Sequence, residues 1–506
     1  MSQKIAKMVF DYFPSVLFVL FLVLFLLAKV LLFYISPFSF AVAAFLFVTL
    51  AVFCFLKSKG LLPTSYFYTL AEKIKRYKVA YVFTAILLTH FTIRVLSIFC
   101  VQIDYTQFSD PSTYVVSADE LARNGVITQW ASYFYQASHL FWFAVFLFPA
   151  VSCFGASNTA ISVYLALVST LSSGFIGATL YKKGGRLTAY LFMLIYALLP
   201  NAVISTDYIT HEHAFLFFLS LFIWLRFGIM QTKGIGSVAY WALEIISTWI
   251  LILGSMVNGL GLVAIIAVLI MYGLQFCQGK FRSASAKAII LILLMLLTHQ
   301  VGNQFHVARS QLTEFPDRTE QYKWVLYTGA NFDTMGHYSA QDEQIFFDRC
   351  KETGMPHERV ALYHNQLLAE RYQALFSHPS VWGKHYTHKI VEILGAFTHS
   401  VSLATDFSKN CIFHHSVIRL IMKVMMYTEA FAWGILALFI LLYARCPKDD
   451  LYLWSSLFLT GSTMLFLLTE ISSKYTISFQ PILYLFLIIP AVHYLRTRAA
   501  LPTTET

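Results

Sequence analysis

Long apolar runs, recurring from Tyr12 almost to the last residue, constrain this chain more than any other feature. A helix that crosses a bilayer needs about 20 apolar residues, because inside lipid every backbone N–H and C=O must be satisfied within the segment. The runs that meet or approach this length are 12–35, 38–56, 80–101, 157–181, 187–206, 213–227, 239–253, 257–276, 286–303, 420–443, 451–469 and 476–495. The expected fold is therefore all-α, a polytopic transmembrane helix bundle of about 12 spans. Composition agrees: of 506 residues, 58% are hydrophobic and 12% charged, against about 25% charged in a soluble domain. The first run is too long for the apolar region of a signal peptide and lacks a small-residue cleavage site, so no cleaved leader is expected.

A net charge of +10 could suit nucleic acid, but the basic residues sit in short segments between apolar runs. Lys4 and Lys7 precede the first run; Lys57, Lys59, Lys73, Lys75, Arg76 and Lys78 follow the second. Then come Lys182, Lys183 and Arg186; Arg226 and Lys233; Lys280, Arg282 and Lys287; Arg445 and Lys448; and Arg496 and Arg498. With these spans all of them fall on one face, which the positive-inside rule makes cytoplasmic. No nucleic-acid partner is expected, since no soluble domain carries the charge. Two segments are ambiguous, 139–154 with its Pro149 and 380–403. A span at 139–154 would carry Lys182 to Arg186 outside, so both are expected at the outer interface as amphipathic or re-entrant helices.

The outer face then receives 102–138, a turn near 205–213, the large polar stretch 304–415, and Glu470 to Tyr475. Four parts result: an N-terminal hairpin with a basic linker (1–79) that reads as a pair added outside the main bundle, a core bundle (80–303), the outer region (304–415) and C-terminal helices (416–506). The seven cysteines lack metal-type spacing. Cys350 and Cys411 share the outer region, where a disulfide and two thiols are equal alternatives.

Four polar constellations interrupt this apolar chain, and polar groups at a membrane are usually retained for a reason. The first is 108–125, with Asp110, Tyr114, Asp119 and Glu120. Asp110 followed by Pro111 reads equally as a helix-capping carboxylate and as a general base at a cleft; Asp119 and Glu120 read as a solvated helix face. The second is 205–213, with Asp207, His211, Glu212 and His213. Residues two apart on a helix point to different faces, so His211 and His213 favour a substrate-facing Glu212 over a closed metal site. The third is 326–342, a turn-rich patch with Gly329, Asn331, Asp333, Gly336 and Asp342, equally readable as a structured loop with Asx turns. The fourth is 470–475, where Lys474 could snorkel to headgroups or grip a lipid phosphate as a point charge.

Taken in order, these residues resemble the C-type membrane glycosyltransferases, the superfamily of protein O-mannosyltransferases and aminoarabinose transferases, in particular bacterial members of unassigned acceptor. The likeness covers 80–495. It consists of Ser109, Asp110, Tyr114, Ala118, Leu121 and Ala122 in the first outer loop; Phe154 and Gly155; Ala197, Leu198 and Pro200 leading to His211, Glu212 and Phe215; Gly329, Asn331, Gly336, Tyr338 and Asp342; and Glu470, Lys474, Tyr475 and Pro481. Each match alone is weak; their order and spacing are more specific. Lys474 stands where the family usually has arginine, which removes a bidentate phosphate grip. An Arg-Pro pair often found after the fourth core span is missing near Asn258.

The resemblance implies a polyprenyl-phosphate-linked sugar donor, a glycan, lipid or protein acceptor, and a site on the outer face of a bacterial inner membrane. No cofactor is expected, with a divalent metal the lesser alternative. Asp110 would be the base and Glu212 a second carboxylate. Lys474, helped by Arg419 or Lys423, would neutralise the leaving phosphate. Tyr114, His211 and His213 would lie near the substrates, as would Asn331, Asp342 and Tyr475. The rival classes are a transporter or flippase of lipid-linked saccharides, for which inverted repeats and midplane charges are expected, and a polymerase or ligase using the same lipids.

Overall fold

The protein is described by a computed structural model covering residues 2–58, 78–105, 109–232, 234, 236–312, 318–348, 350, 357–395, 399–443 and 449–499. Most of the basic linker 57–79, along with Lys233, Arg445 and Lys448, lies outside the described residues.

The apolar runs are helices. Among the described residues ten are long and apolar enough to cross a membrane, and together they make a polytopic helical bundle. The expected span 157–181 and most of 187–206 fall within Asn158–Leu198, a pair of helical arms joined by a kink. The chain bends at Gly185, whose φ of 75° only glycine adopts without strain. Lys182, Lys183 and Arg186 flank the bend. Lys183 reaches Asp449, at the start of the helix Asp450–Leu468, at 2.6 Å, so the bend and the start of that helix share one end of the bundle. A further helix, Pro37–Ser58, occupies the expected 38–56.

The N-terminal helix is not an accessory outside the bundle, as the basic linker had suggested. Helix Ser2–Ile35 packs on Ser416–Tyr443, Asp450–Leu468 and Leu260–Cys277, and its Phe21, Leu22 and Phe25 are wholly buried in the main core. Its Lys29 is buried too and donates to the Gly395 carbonyl at 2.5 Å. Burial requires a lysine to find such acceptors, and this one fastens the first helix to the π-turn that ends at Gly395.

Both ambiguous segments are helical. Ser138–Phe154 has 17 residues with Pro149 inside; it packs against Ser109–Asn124 and Val238–Val257 and buries Leu140, Phe143 and Leu147. Segment 380–403 becomes helix Pro379–Ile390, a π-turn Val391–Gly395 and, after 396–398, helix His399–Asp406. Cys350 and Cys411 are both thiols. Cys350 is buried beside Phe346 and His364 at 3.6 Å from each, while Cys411 opens an exposed 3-10 turn, so the two do not pair.

Candidate active site

Helix Ser109–Asn124 begins just before Asp110, which places this carboxylate inside the first turn, where the helix dipole favours negative charge. Its oxygens face other elements. Oδ1 accepts from the Tyr133 hydroxyl at 3.1 Å, and Oδ2 lies 3.8 Å from Lys474 Nζ. Tyr133 comes from the short helix Ala131–Gln136. Burial, then the neighbouring Asp110 charge, push the Tyr133 hydroxyl well above its ordinary pKa, so it stays protonated and can only donate to a carboxylate. Tyr114, one turn after Asp110, is buried against Phe143 and pairs with Tyr133.

Lys474 arrives from the other end of the chain, in the 3-10 turn Ser473–Tyr475. Burial alone would lower its pKa, but Tyr208 and the carboxylates of Asp110, Glu470 and Glu212 surround it and raise it, so the ammonium is retained. Among the described residues no hydrogen bond engages this ammonium, and Asp110 is beyond the 2.7–2.9 Å typical of a charge-assisted bond. Beside it, Tyr475 donates to Glu470 Oε1 at 3.1 Å and stacks on Phe466. Burial pushes the Glu470 carboxyl up, with Lys474 opposing.

Glu212 lies in the first turn of helix His211–Ile223 and is wholly buried. Asn258 donates to its Oε2 at 2.5 Å, and the same Asn258 accepts the Leu260 N–H at 2.9 Å through Oδ1. The residue that ends one helix and accepts the first N–H of the next therefore also positions the carboxylate. His211 Nε2 sits 3.3 Å from Glu212 Oε1, and its ring meets that of His139, to which Gln321 is bonded at 2.9 Å. His213 leaves this group: its Nε2 bonds the Ser205 carbonyl at 2.8 Å. The helix begins at His211, so two residues carry His213 round to another face. It braces the turn Ser205–Asp207, where Asp207 receives the Ile103 N–H at 3.1 Å and burial lifts its carboxyl to about 7.

Asn331 and Asp342 also lie apart. Asn331 donates to Asp342 Oδ2 at 2.6 Å and accepts the Asp333 N–H at 2.9 Å, an Asx turn. Arg371 holds Asp342 Oδ1 at 2.7 Å and bonds Tyr327. This patch orders part of the region 304–415 and reaches the Lys474 turn through the backbone: Glu470 N–H donates to Val325 O at 2.7 Å, Ile471 N–H to Gly336 O at 2.9 Å. Lys389 clamps the same junction, donating to the carbonyls of Gly329 and Thr469 at 2.7 Å and of Leu467 at 3.1 Å. Of the two helpers expected for Lys474, Arg419 donates to the Thr405 carbonyl at 2.9 Å and Lys423 is exposed.

The structure thus brings together Asp110, Tyr114, Glu470, Lys474, Tyr475, Glu212 and His211, and adds Tyr133, Tyr208, Asn258 and His139. Asn258 carries the clearest overlooked signal, an amide between two apolar runs. Tyr133 lies in an aromatic stretch that gives no hint of its bond.

Fold and site define a polytopic helical membrane protein with a carboxylate–lysine cluster where its spans meet the polar region 304–415. No known protein-family profile matches the chain, and no curated protein matches it. Among solved structures it is similar to ArnT from Cupriavidus metallidurans bound to undecaprenyl phosphate, over 83% of this chain and 78% of that one, with 14% identity and a TM-score of 0.37. At so loose a likeness, what this chain does rests on its own residues.

Proposed function

We propose that this protein transfers a sugar from a polyprenyl-phosphate donor to a cell-envelope acceptor. The observation that carries the reading is the half-buried Lys474 ammonium, free of hydrogen bonds among the described residues and 3.8 Å from Asp110. A cation at the end of a helix bundle suits a lipid phosphate, and a carboxylate beside it suits a hydroxyl that must lose its proton. The resemblance in the order of the polar motifs supports the same pairing.

In this mechanism Asp110 takes the proton of the acceptor hydroxyl, whose oxygen forms a bond to the anomeric carbon of the sugar. The bond from that carbon to the phosphate oxygen breaks, and polyprenyl phosphate leaves with its charge met by Lys474. Tyr133 holds one oxygen of Asp110, leaving the other toward the lysine. Glu212, fixed by Asn258, orients donor or acceptor.

Purified protein incubated with polyprenyl-phosphate-linked sugars and envelope acceptors tests this reading. Release of polyprenyl phosphate together with a glycosylated product is expected. Movement of the intact lipid-linked sugar across a vesicle, without bond cleavage, would instead make the protein a flippase. The site is assigned to the outer face of a bacterial inner membrane: a cysteine replacing the exposed Asp333 should react with an impermeant thiol reagent in intact cells. Reaction only after permeabilisation would invert the orientation.

A further inference from the structure

The turn that ends at Gly336 presents His337, and helix Pro379–Ile390 with its π-turn presents His388 and Glu392. The three side chains converge on one point. His337 Nε2 is 2.9 Å from Glu392 Oε2, and His388 Nε2 is 3.5 Å from that same oxygen. All three donor atoms lie within 4.8 Å of one another. A carboxylate that only paired two histidines could give each its own oxygen; here both imidazoles meet Oε2. A tetrahedral ion with bonds of about 2.0–2.1 Å has ligand–ligand edges of roughly 3.4 Å, and the two distances to Glu392 bracket that value.

We propose that His337, His388 and Glu392 bind a divalent transition cation of the zinc class, with an open fourth position.

The donor set of two imidazoles and one carboxylate is one that zinc favours, and three protein ligands leave a place for water or an oxygen ligand. The cluster is reachable from solvent: the His337 and His388 side chains are 39% and 47% exposed, while Glu392 is 14% exposed. His337 is held before any ion arrives. Met335 and Gly336 take positive φ, the Gly336 N–H closes onto Asn331 O at 2.8 Å, and Thr334 Oγ1 bonds the His337 carbonyl at 3.0 Å. His388 and Glu392 are four residues apart on one helical face. The nearest competing cation, Lys389, is turned away onto three carbonyls. A cation here would tie the Gly336 turn to helix Pro379–Ile390. Because Gly336 O holds the Ile471 N–H, it would also stiffen the turn that carries Glu470 and Lys474.

The test is a metal titration of the full-length protein, purified in detergent and stripped with a chelator. Co²⁺ is the probe for coordination and Zn²⁺ for stoichiometry. One equivalent per chain is expected, with the intense visible bands of a four-coordinate cobalt site, and Zn²⁺ should raise the thermal midpoint because it binds the folded state. His388→Gln is the informative variant, since its described side-chain contacts are Glu392 and the His337 ring. It should leave the metal-free midpoint unchanged and weaken binding by at least about tenfold, as loss of one of three ligands does. Should His388→Gln shift the metal-free midpoint, Glu392→Gln and the cobalt spectrum of the unaltered protein decide in its place. Absence of binding, affinity within twofold of the parent in both variants, or an octahedral spectrum without histidine ligation would each overturn the proposal.

Discussion

Three consecutive helices, His211–Ile223 with the π-turn that extends it, Val238–Val257 and Leu260–Cys277, carry buried polar groups at both ends, and the two ends are built differently. At one end Arg226 Nη1 donates to Glu244 Oε1 and Nη2 to the Tyr272 hydroxyl, both at 2.9 Å, and Tyr272 bonds the same Glu244 oxygen. Lys287 lies over the Tyr240 and Tyr272 rings. At the other end, about 21 Å along the first helix by its rise per residue, Glu212 meets an amide, and the nearby Asp110–Lys474 pair stands 3.8 Å apart. The first arrangement matches opposite charges in direct contact and has a fixed structure as its product. The second keeps a cation and a carboxylate close without joining them, which leaves both able to act on a third group. Buried charge by itself therefore does not mark a functional site in this molecule; the spacing of the partners does.

The contrast predicts where substitutions act. Arg226→Met should have the largest effect on folding. Removing one partner of a buried pair leaves Glu244 uncompensated, at a cost of about 3–5 kcal/mol. The thermal midpoint in detergent should fall sharply, while the folded fraction keeps its sugar-transfer rate within a few-fold. A rate collapse in folded protein would erase the distinction between the two ends.

Lys474→Met should show the converse. The loss of charge stabilisation for the leaving phosphate is expected to lower turnover about 10²–10³-fold. Its midpoint should fall less than that of Arg226→Met, because no hydrogen bond among the described residues is lost. Lys474→Arg should retain much of the rate, since the positive charge survives.

A smaller effect is expected at Asp207, which braces the site without facing it. Its folded pKa of about 7 lies above the ordinary 3.8. Between those values the folded protein holds a proton that the unfolded chain has released, so stability is fully present below about pH 4, declines as pH rises to about 7, and is level above that. Asp207→Asn should flatten this slope, worth roughly 2–4 kcal/mol across the interval. Thermal midpoints at pH 5 and pH 8 measure it; equal slopes in parent and variant would contradict the burial effect.

The fold was readable in the sequence because a bilayer leaves few choices. Each apolar run had to be a helix, and even the long helix bent at Gly185 was legible as two spans from the basic residues at its bend. The placement of the first helix was not. Phe21 and Phe25 look alike whether they face lipid or protein, and lipid removes the usual difference between an inner and an outer apolar face. Within the site, Asp110, Glu212 and Lys474 were legible as polar breaks at span ends. That Asp110 and Lys474 meet across the length of the chain was not, since nothing local encodes that pairing. His213, Asn331 and Asp342 share the polar character of the site residues, but their side chains are taken up by a carbonyl, an Asx turn and Arg371. Sequence shows that a polar group is present; it does not show which acceptor lies within 3 Å of it.

The central claim is that Asp110 works as a base on a membrane-surface hydroxyl, and sugar transfer by purified Asp110→Asn tests it most directly. The change keeps the shape and the site in the first helical turn, and Tyr133 can still donate to the amide oxygen. It removes the basicity. Turnover should fall about 10²–10⁴-fold, with the thermal midpoint and membrane insertion of the parent. Near-parental turnover in that folded variant would contradict the claim, reduce Asp110 to a brace for the start of its helix, and move the search for the base to Glu212.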